Sequence, residues 1–203
     1  MTPFTLHVPD ADIADLRDRL ARTRLPDAAP GEPWAFGTSV DYLRGLLAYW
    51  RDGFDWRAQE AKLNAYPQFK MSRDDVDLHW LHVPGKGPKP MPLLLLHGWP
   101  GSVFEFVDFI PRLTDPAAFG GDPADAFTVV APSLPGYGLS FRPGQQRCGV
   151  EEIAPILIEL MASLGYDRFA VQGGDWGGII AGYLGSTFAD KLIGMHVNLL
   201  SVP

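Results

Sequence analysis

Short apolar runs recur along the second half of the chain, each ending at a cluster of glycine and proline. Pro92-Leu93-Leu94-Leu95-Leu96, Phe127-Thr128-Val129-Val130-Ala131 and Phe169-Ala170-Val171-Gln172 are each too short for a helix and read as buried strands. Residues 76–83 and 193–200 have the same character. Between these runs the period changes to that of a helix. Val103, Phe106, Val107, Ile110 and Leu113 fall on one face, as do Ile153, Leu157, Leu160, Met161 and Leu164, with Gly165 placed as a C-cap. Residues 176–184 can continue from the last strand as a helix. Strands alternating with helices predict an α/β fold, a mostly parallel sheet with helices on both faces. The first third differs. Asp10 stands where it can cap a helix carrying Ile13, Leu16 and Leu20, and Leu43, Leu46, Leu47 and Trp50 mark a second helix over residues 41–51. Pro26, Pro30 and Pro33 interrupt the region between them. The predicted organisation is a helical meander over residues 1–75 that packs on the core, followed over 76–203 by the N-terminal part of an α/β domain.

The chemistry gathers at two of the strand ends. Val171-Gln172-Gly173-Gly174-Asp175-Trp176-Gly177-Gly178 has the small-x-nucleophile-x-small layout of a strand-to-helix elbow, with Asp175 where such elbows often hold serine. An aspartate is already an anion at neutral pH and suits displacement at a saturated carbon through an alkyl-enzyme ester. A helix N-terminus favours its charge. The octapeptide alone leaves a second reading open, in which Asp175 is simply an N-cap. The strand over 92–96 runs directly into His97-Gly98-Trp99-Pro100-Gly101-Ser102. In the hydrolase layout such a loop donates one backbone N–H of an oxyanion hole, and the residue after the nucleophile donates the other. Those donors would be Trp99 and Trp176. Trp99-Pro100 is a site for a cis peptide, and Ser102 with Glu105 has the spacing of a capping box. His97, at a strand end before the loop, reads as structural rather than catalytic.

These motifs, together with Pro135-Gly136-Tyr137-Gly138-Leu139-Ser140, resemble the microsomal-type epoxide hydrolase family of the α/β-hydrolase superfamily. The N-terminal third adds to the resemblance through Leu20-Ala21-Arg22-Thr23-Arg24-Leu25-Pro26, Phe54-Asp55-Trp56-Arg57 and Pro67-Gln68-Phe69. The resemblance implies an enzyme that opens a small hydrophobic epoxide to a diol. Asp175 would attack the epoxide carbon, two lid tyrosines would assist the leaving oxygen, and a histidine oriented by an acid would activate water against the ester. In the family those last groups follow the region matched here. The expectation is therefore a chain truncated before the lid and the catalytic histidine, alkylated once without multiple turnover. Its sheet edge would associate with a second copy or with a complementing C-terminal segment. Tyr137 and His196 precede the lid and are not assigned its roles. Haloalkane dehalogenases, which share the Asp-Trp elbow, form the second alternative, and a non-catalytic remnant that binds a partner chain forms the third.

Composition narrows the field further. With 17 basic and 24 acidic residues the net charge is −7, which offers no broad basic footprint for nucleic acid. No apolar run approaches a membrane span and the N-terminus lacks a signal-peptide pattern. Cys148 is the single cysteine, which excludes an internal disulfide and suits a reducing, cytoplasmic compartment. The five histidines are scattered and form no metal-ligand spacing. Carboxylate, water and base suffice for the chemistry, so no cofactor and no metal is expected.

Overall fold

The structure, a computed structural model, describes residues 1–73 and 75–199. The chain runs β1 (Thr2–Phe4), α1 (Asp10–Ala21), α2 (Val40–Asp52), α3 (Trp56–Asn64), β2 (Gln68–Arg73), β3 (Val76–Val83) and β4 (Met91–Leu96). It continues through α4 (Ile110–Thr114), β5 (Phe127–Pro132), α5 (Val150–Ser163), β6 (Phe169–Gly173), α6 (Trp176–Thr187) and β7 (Leu192–Val197). It divides into two compact units, one over Leu6–Lys62 and one comprising Met1–Thr5 with the chain from Leu63 onward.

The Leu6–Lys62 unit is helical. Ser39 Oγ accepts the Tyr42 N–H at 3.4 Å and so caps α2. Asp10 does not cap α1 as expected. Pro9 holds the N-cap position, without a side-chain cap bond. Asp10 instead pairs with Arg57, whose guanidinium also meets Glu60 at 2.5 Å. Glu60 accepts the Val8 N–H at 2.7 Å and the Trp56 indole N–H at 3.1 Å. A cation 47 residues away outweighs a local backbone donor because a charge-assisted pair is the stronger bond.

The second unit is built on one seven-stranded sheet in the order β1-β2-β3-β5-β4-β6-β7. β5, β4, β6 and β7 are parallel, while β1, β2 and β3 join antiparallel on the β5 side. This is the α/β-hydrolase arrangement. Side chains alternate across the sheet. On one face Leu94, Leu96, Val130 and Val171 meet Leu157 and Leu160 of α5 and Ile180 and Leu184 of α6, all buried. Each such side chain contributes roughly 1.5–3 kcal/mol. On the other face Leu93 and Leu95 line a cavity of about 670 Å³ shared with Phe106, Phe109 and Leu113. The helix expected from Val103 to Leu113 is split into a 3-10 turn at Val103–Phe106 and the short α4, which carries Pro111 in its first turn.

Two strands lie within the 1–75 stretch read from sequence as a helical meander. β1 has three residues, too few for any period, and β2 (Gln-Phe-Lys-Met-Ser-Arg) is mostly polar. Their pairing is dictated by β3, whose eight residues offer a full antiparallel register to β2. Leu200, the last residue of the apolar run over 193–200, lies outside the described residues. No helix among the described residues is long and apolar enough to cross a membrane.

Candidate active site

Two parallel neighbours, β4 and β6, end side by side, with Leu96 paired to Gly173. Both chains then turn sharply, and the close approach demands glycine. A Cβ on Gly173 would lie 2.1 Å from the Gly177 carbonyl oxygen, and one on Gly177 would lie 2.2 Å from that of Leu96. Asp175 sits at the tip of the turn with φ 53° and ψ −125°, a conformation that L-residues rarely hold and that costs on the order of 1–3 kcal/mol. The crossing fixes it there. Its Cβ and Oδ1 pack 2.5 Å from where a side chain on Gly98 would begin.

The carboxylate meets the backbone of the other turn. The Trp99 N–H donates to Asp175 Oδ1 at 2.8 Å across 76 residues of sequence. The Trp176 N–H is a second backbone donor, and these two amides, Trp99 first, hold Asp175 below the ordinary carboxylate pKa. Asp175 precedes α6 but makes no capping bond to it. The cap alternative left open by the sequence is thus not the arrangement found. The side chain is exposed and lines a cavity of about 530 Å³ together with Gly98, Trp99, Glu105, Asn198 and Leu199. Trp99, which lines this cavity, and Trp176, next to Asp175 in the chain, are 68% and 45% exposed. All three residues singled out from sequence, Asp175, Trp99 and Trp176, therefore meet at one point.

The oxyanion loop is braced from below. Trp99-Pro100 is cis. His97 is 1% exposed, and both ring nitrogens are used: Nδ1 lies 3.0 Å from the Gly98 carbonyl oxygen, and Nε2 accepts the Leu134 N–H at 3.0 Å. Burial pushes its pKa down, so the ring is a neutral strut and not a base. Tyr137 packs edge-on against it, with ring centroids 5.4 Å apart. Burial and, secondarily, the Asp175 charge push the Tyr137 phenol up. His196 lies on β7 and lines the larger cavity, away from the nucleophile.

Two side chains at the site were missed or under-read. Glu105 is visible in the sequence only as the end of a capping box, a role it does fill, since its Oε1 accepts the Ser102 N–H at 3.2 Å. Asn198 carries no sequence signal at all. It arrives because β7 pairs with β6 in parallel, and its own N–H donates to the Gly173 carbonyl at 3.3 Å. No cluster of three or more His, Cys, Asp or Glu side chains able to hold a metal occurs among the described residues.

Comparison with known proteins agrees with this geometry. Residues 1–106 match the family described as epoxide hydrolase N terminus, and residues 91–199 match the α/β hydrolase fold. Epoxide hydrolase 1 of Oryctolagus cuniculus is 39% identical over 203 residues, spanning 97% of this chain and 44% of the rabbit protein. The structure of Aspergillus niger epoxide hydrolase superposes with a TM-score of 0.86 at 31% identity, spanning 100% of this chain and 53% of that one. Juvenile hormone epoxide hydrolase from the silkworm Bombyx mori gives 0.85 at 35% identity, spanning 97% and 52%. The chain thus spans about half the length of the relatives it matches.

Proposed function

Since this chain belongs to the epoxide hydrolase family, with an epoxide hydrolase N-terminal segment leading into an α/β-hydrolase fold, we propose that Asp175 is the nucleophile that opens a hydrophobic epoxide. The observation that carries this reading is the 2.8 Å bond from the Trp99 N–H to Oδ1. With Oδ1 held by the Trp99 amide and the Trp176 amide beside the carboxylate, Oδ2 is left to attack the less hindered face of an epoxide carbon. The carbon–oxygen bond forms as the ring carbon–oxygen bond breaks, and the ring oxygen leaves with the electron pair and is protonated. The resulting ester keeps Oδ1 as its carbonyl oxygen. When water later adds to Cγ, negative charge develops on that same oxygen, between two amides already in place. The ester collapses to regenerate Asp175 and release the diol.

The test is direct. After incubation with styrene oxide, intact-mass spectrometry should find one adduct, mapped by digestion to Asp175 and absent from Asp175→Asn. An unmodified protein, or an adduct elsewhere, would sink the reading. The dehalogenase alternative stands second because the match over residues 1–106 is to an epoxide hydrolase segment. Halide release from a haloalkane without reaction of the epoxide would reverse that order.

A partner for the sheet edge is part of the same proposal. On β7 and just beyond it, Ile193, Met195 and Leu199 are 46%, 46% and 55% exposed, which is much apolar surface for an edge strand. A second copy or a complementing segment would cover it. Sedimentation of the chain, alone and with the C-terminal half of a relative, distinguishes these, and a monomer indifferent to that half would refute both. Cys148 is free, consistent with a reducing, cytoplasmic location.

A further inference from the structure

We propose that His79 and Ser133 are positioning residues for the nucleophile: they anchor a hydrogen-bond relay that ends on the Gly98–Trp99 peptide and aims its N–H at Asp175. The inference rests on Asp175 being the nucleophile and extends that reading to side chains that do not line its cavity. The last link of the relay is a single peptide. His97 Nδ1 lies 3.0 Å from the Gly98 carbonyl oxygen, and the Trp99 N–H meets Asp175 Oδ1 at 2.8 Å. That carbonyl and that N–H belong to one planar unit. A ring that holds the oxygen end fixes the direction of the N–H end. A donor on the oxygen also polarises the amide and strengthens the bond its N–H makes.

The partners of the two buried histidines give each ring one tautomer. Gln68 donates through Nε2 to the Leu63 carbonyl at 3.3 Å and to Asn64 Oδ1 at 2.8 Å, so its Oε1 is the acceptor that faces His79 Nε2 at 3.0 Å. His79 therefore carries its proton on Nε2, and its Nδ1 accepts the Ser133 hydroxyl at 3.0 Å. At His97 the order is reversed. Nε2 accepts the Leu134 N–H at 3.0 Å, so the proton sits on Nδ1 and is donated to the Gly98 carbonyl. Adjacent residues of one loop, Ser133 and Leu134, thus donate to two different rings. The Ser133 backbone is tied to the His79 strand as well. Its N–H donates to the His79 carbonyl at 2.9 Å, and its carbonyl accepts the Ser140 hydroxyl at 2.6 Å, which in turn accepts the His79 N–H at 2.8 Å. His79, Ser133, Ser140 and His97 are all buried, so no bulk solvent stands by to replace a lost link. Burial also keeps both rings neutral, which preserves the acceptor nitrogen that each needs.

Two measurements on the full chain test the relay. The first is ¹⁵N NMR of the histidine rings, assigned through His79→Gln and His97→Gln. His79 should be protonated at Nε2 and His97 at Nδ1, and the opposite tautomer at either ring overturns the proposal. The second is the rate of Asp175 alkylation by styrene oxide as a function of epoxide concentration, followed by mass spectrometry. Ser133→Ala removes the donor to His79 and should lower the maximal rate about tenfold, while the half-saturating epoxide concentration stays within about twofold. Leu157→Ala, in the core beside α6, is the control for a general loss of stability. It should lower the thermal midpoint at least as far as Ser133→Ala does, yet alkylate within about twofold of the wild-type rate. A Ser133→Ala protein that alkylates like the wild type, or that is slowed no more than Leu157→Ala, overturns the relay and leaves the nucleophile standing. A wild type that forms no adduct on Asp175 overturns both.

Discussion

Asp175 and His79 occupy opposite halves of one sheet and show how a fold decides whether a polar side chain is charged. Asp175 stands at the open end of the parallel half, held by two backbone amides and reached by solvent, and its pKa is lowered by those amides. His79 is 0% exposed in the antiparallel half, with Nδ1 3.0 Å from Ser133 Oγ and Nε2 3.0 Å from Gln68 Oε1. Burial first, and the Lys70 charge second, lower its pKa to about 3. Both groups are hydrogen-bonded. The difference lies in what bonds them. Fixed main-chain dipoles aimed at a carboxylate favour an anion without reorganisation. In a dry core the cost of burying charge, with no anion beside the ring, favours its neutral form. The first arrangement keeps a reactive charge ready, and the second ties β2 and β3 to the loop that carries Tyr137.

The widest gap between the two clusters appears on removing the central group. Asp175→Asn keeps the shape but takes away the nucleophile, and alkylation by styrene oxide should fall by about 10³-fold or more, with little loss of stability because the side chain is exposed. Next comes Gly98→Ala, whose Cβ would meet the Asp175 Cβ and Oδ1 at 2.5 Å. Displacing the carboxylate from the Trp99 amide should slow alkylation by roughly 10²-fold, and a single-turnover mass assay measures it. A Gly98→Ala protein that alkylates at the wild-type rate would show that the amide contact does not govern the nucleophile.

How far the sequence discloses these two clusters follows from the same contrast. Asp175, Trp99 and Trp176 are legible because each sits in a short motif whose glycines report crowding, and the buried strands β4, β5 and β6 announce themselves as apolar runs. His79 reads only as a histidine near a strand, since its partners Gln68 and Ser133 are 11 and 54 residues away and become neighbours through pairing alone. Asn198 is hidden for the same reason. β1 and β2 escape the pattern because a short or mostly polar edge segment takes its conformation from β3 and not from its own periodicity. Asp10 misleads because its long-range partner Arg57 is invisible to a local rule.

The buried histidine sharpens the comparison through acid stability. Its folded pKa of about 3 lies below the unfolded value near 6.5, so the unfolded chain takes up the proton first and stability falls as pH drops below 6.5. Between pH 7 and pH 5 the loss from this one site should be about 2 kcal/mol, seen as a falling urea midpoint. His97 and His82, also lowered by burial, add in the same direction. His79→Gln should flatten part of that slope even though it lowers stability at pH 7. An unchanged slope would mean the ring is not held neutral.

The smallest effect is the one expected at Asp175 over the same range, and it is the most discriminating. Because the Trp99 and Trp176 amides favour the anion, the nucleophile stays ionised wherever an ordinary carboxylate would, and below that. Its alkylation rate should change less than about twofold from pH 8 to pH 5, declining only below the ordinary carboxylate range. Over those pH units the folded protein loses stability through His79 while its reactive carboxylate does not respond. Measuring alkylation above the acid unfolding transition separates the two. A rate that falls with an apparent pKa between 5 and 7 would show that the amides do not hold the charge, and that Asp175 is governed by burial as His79 is.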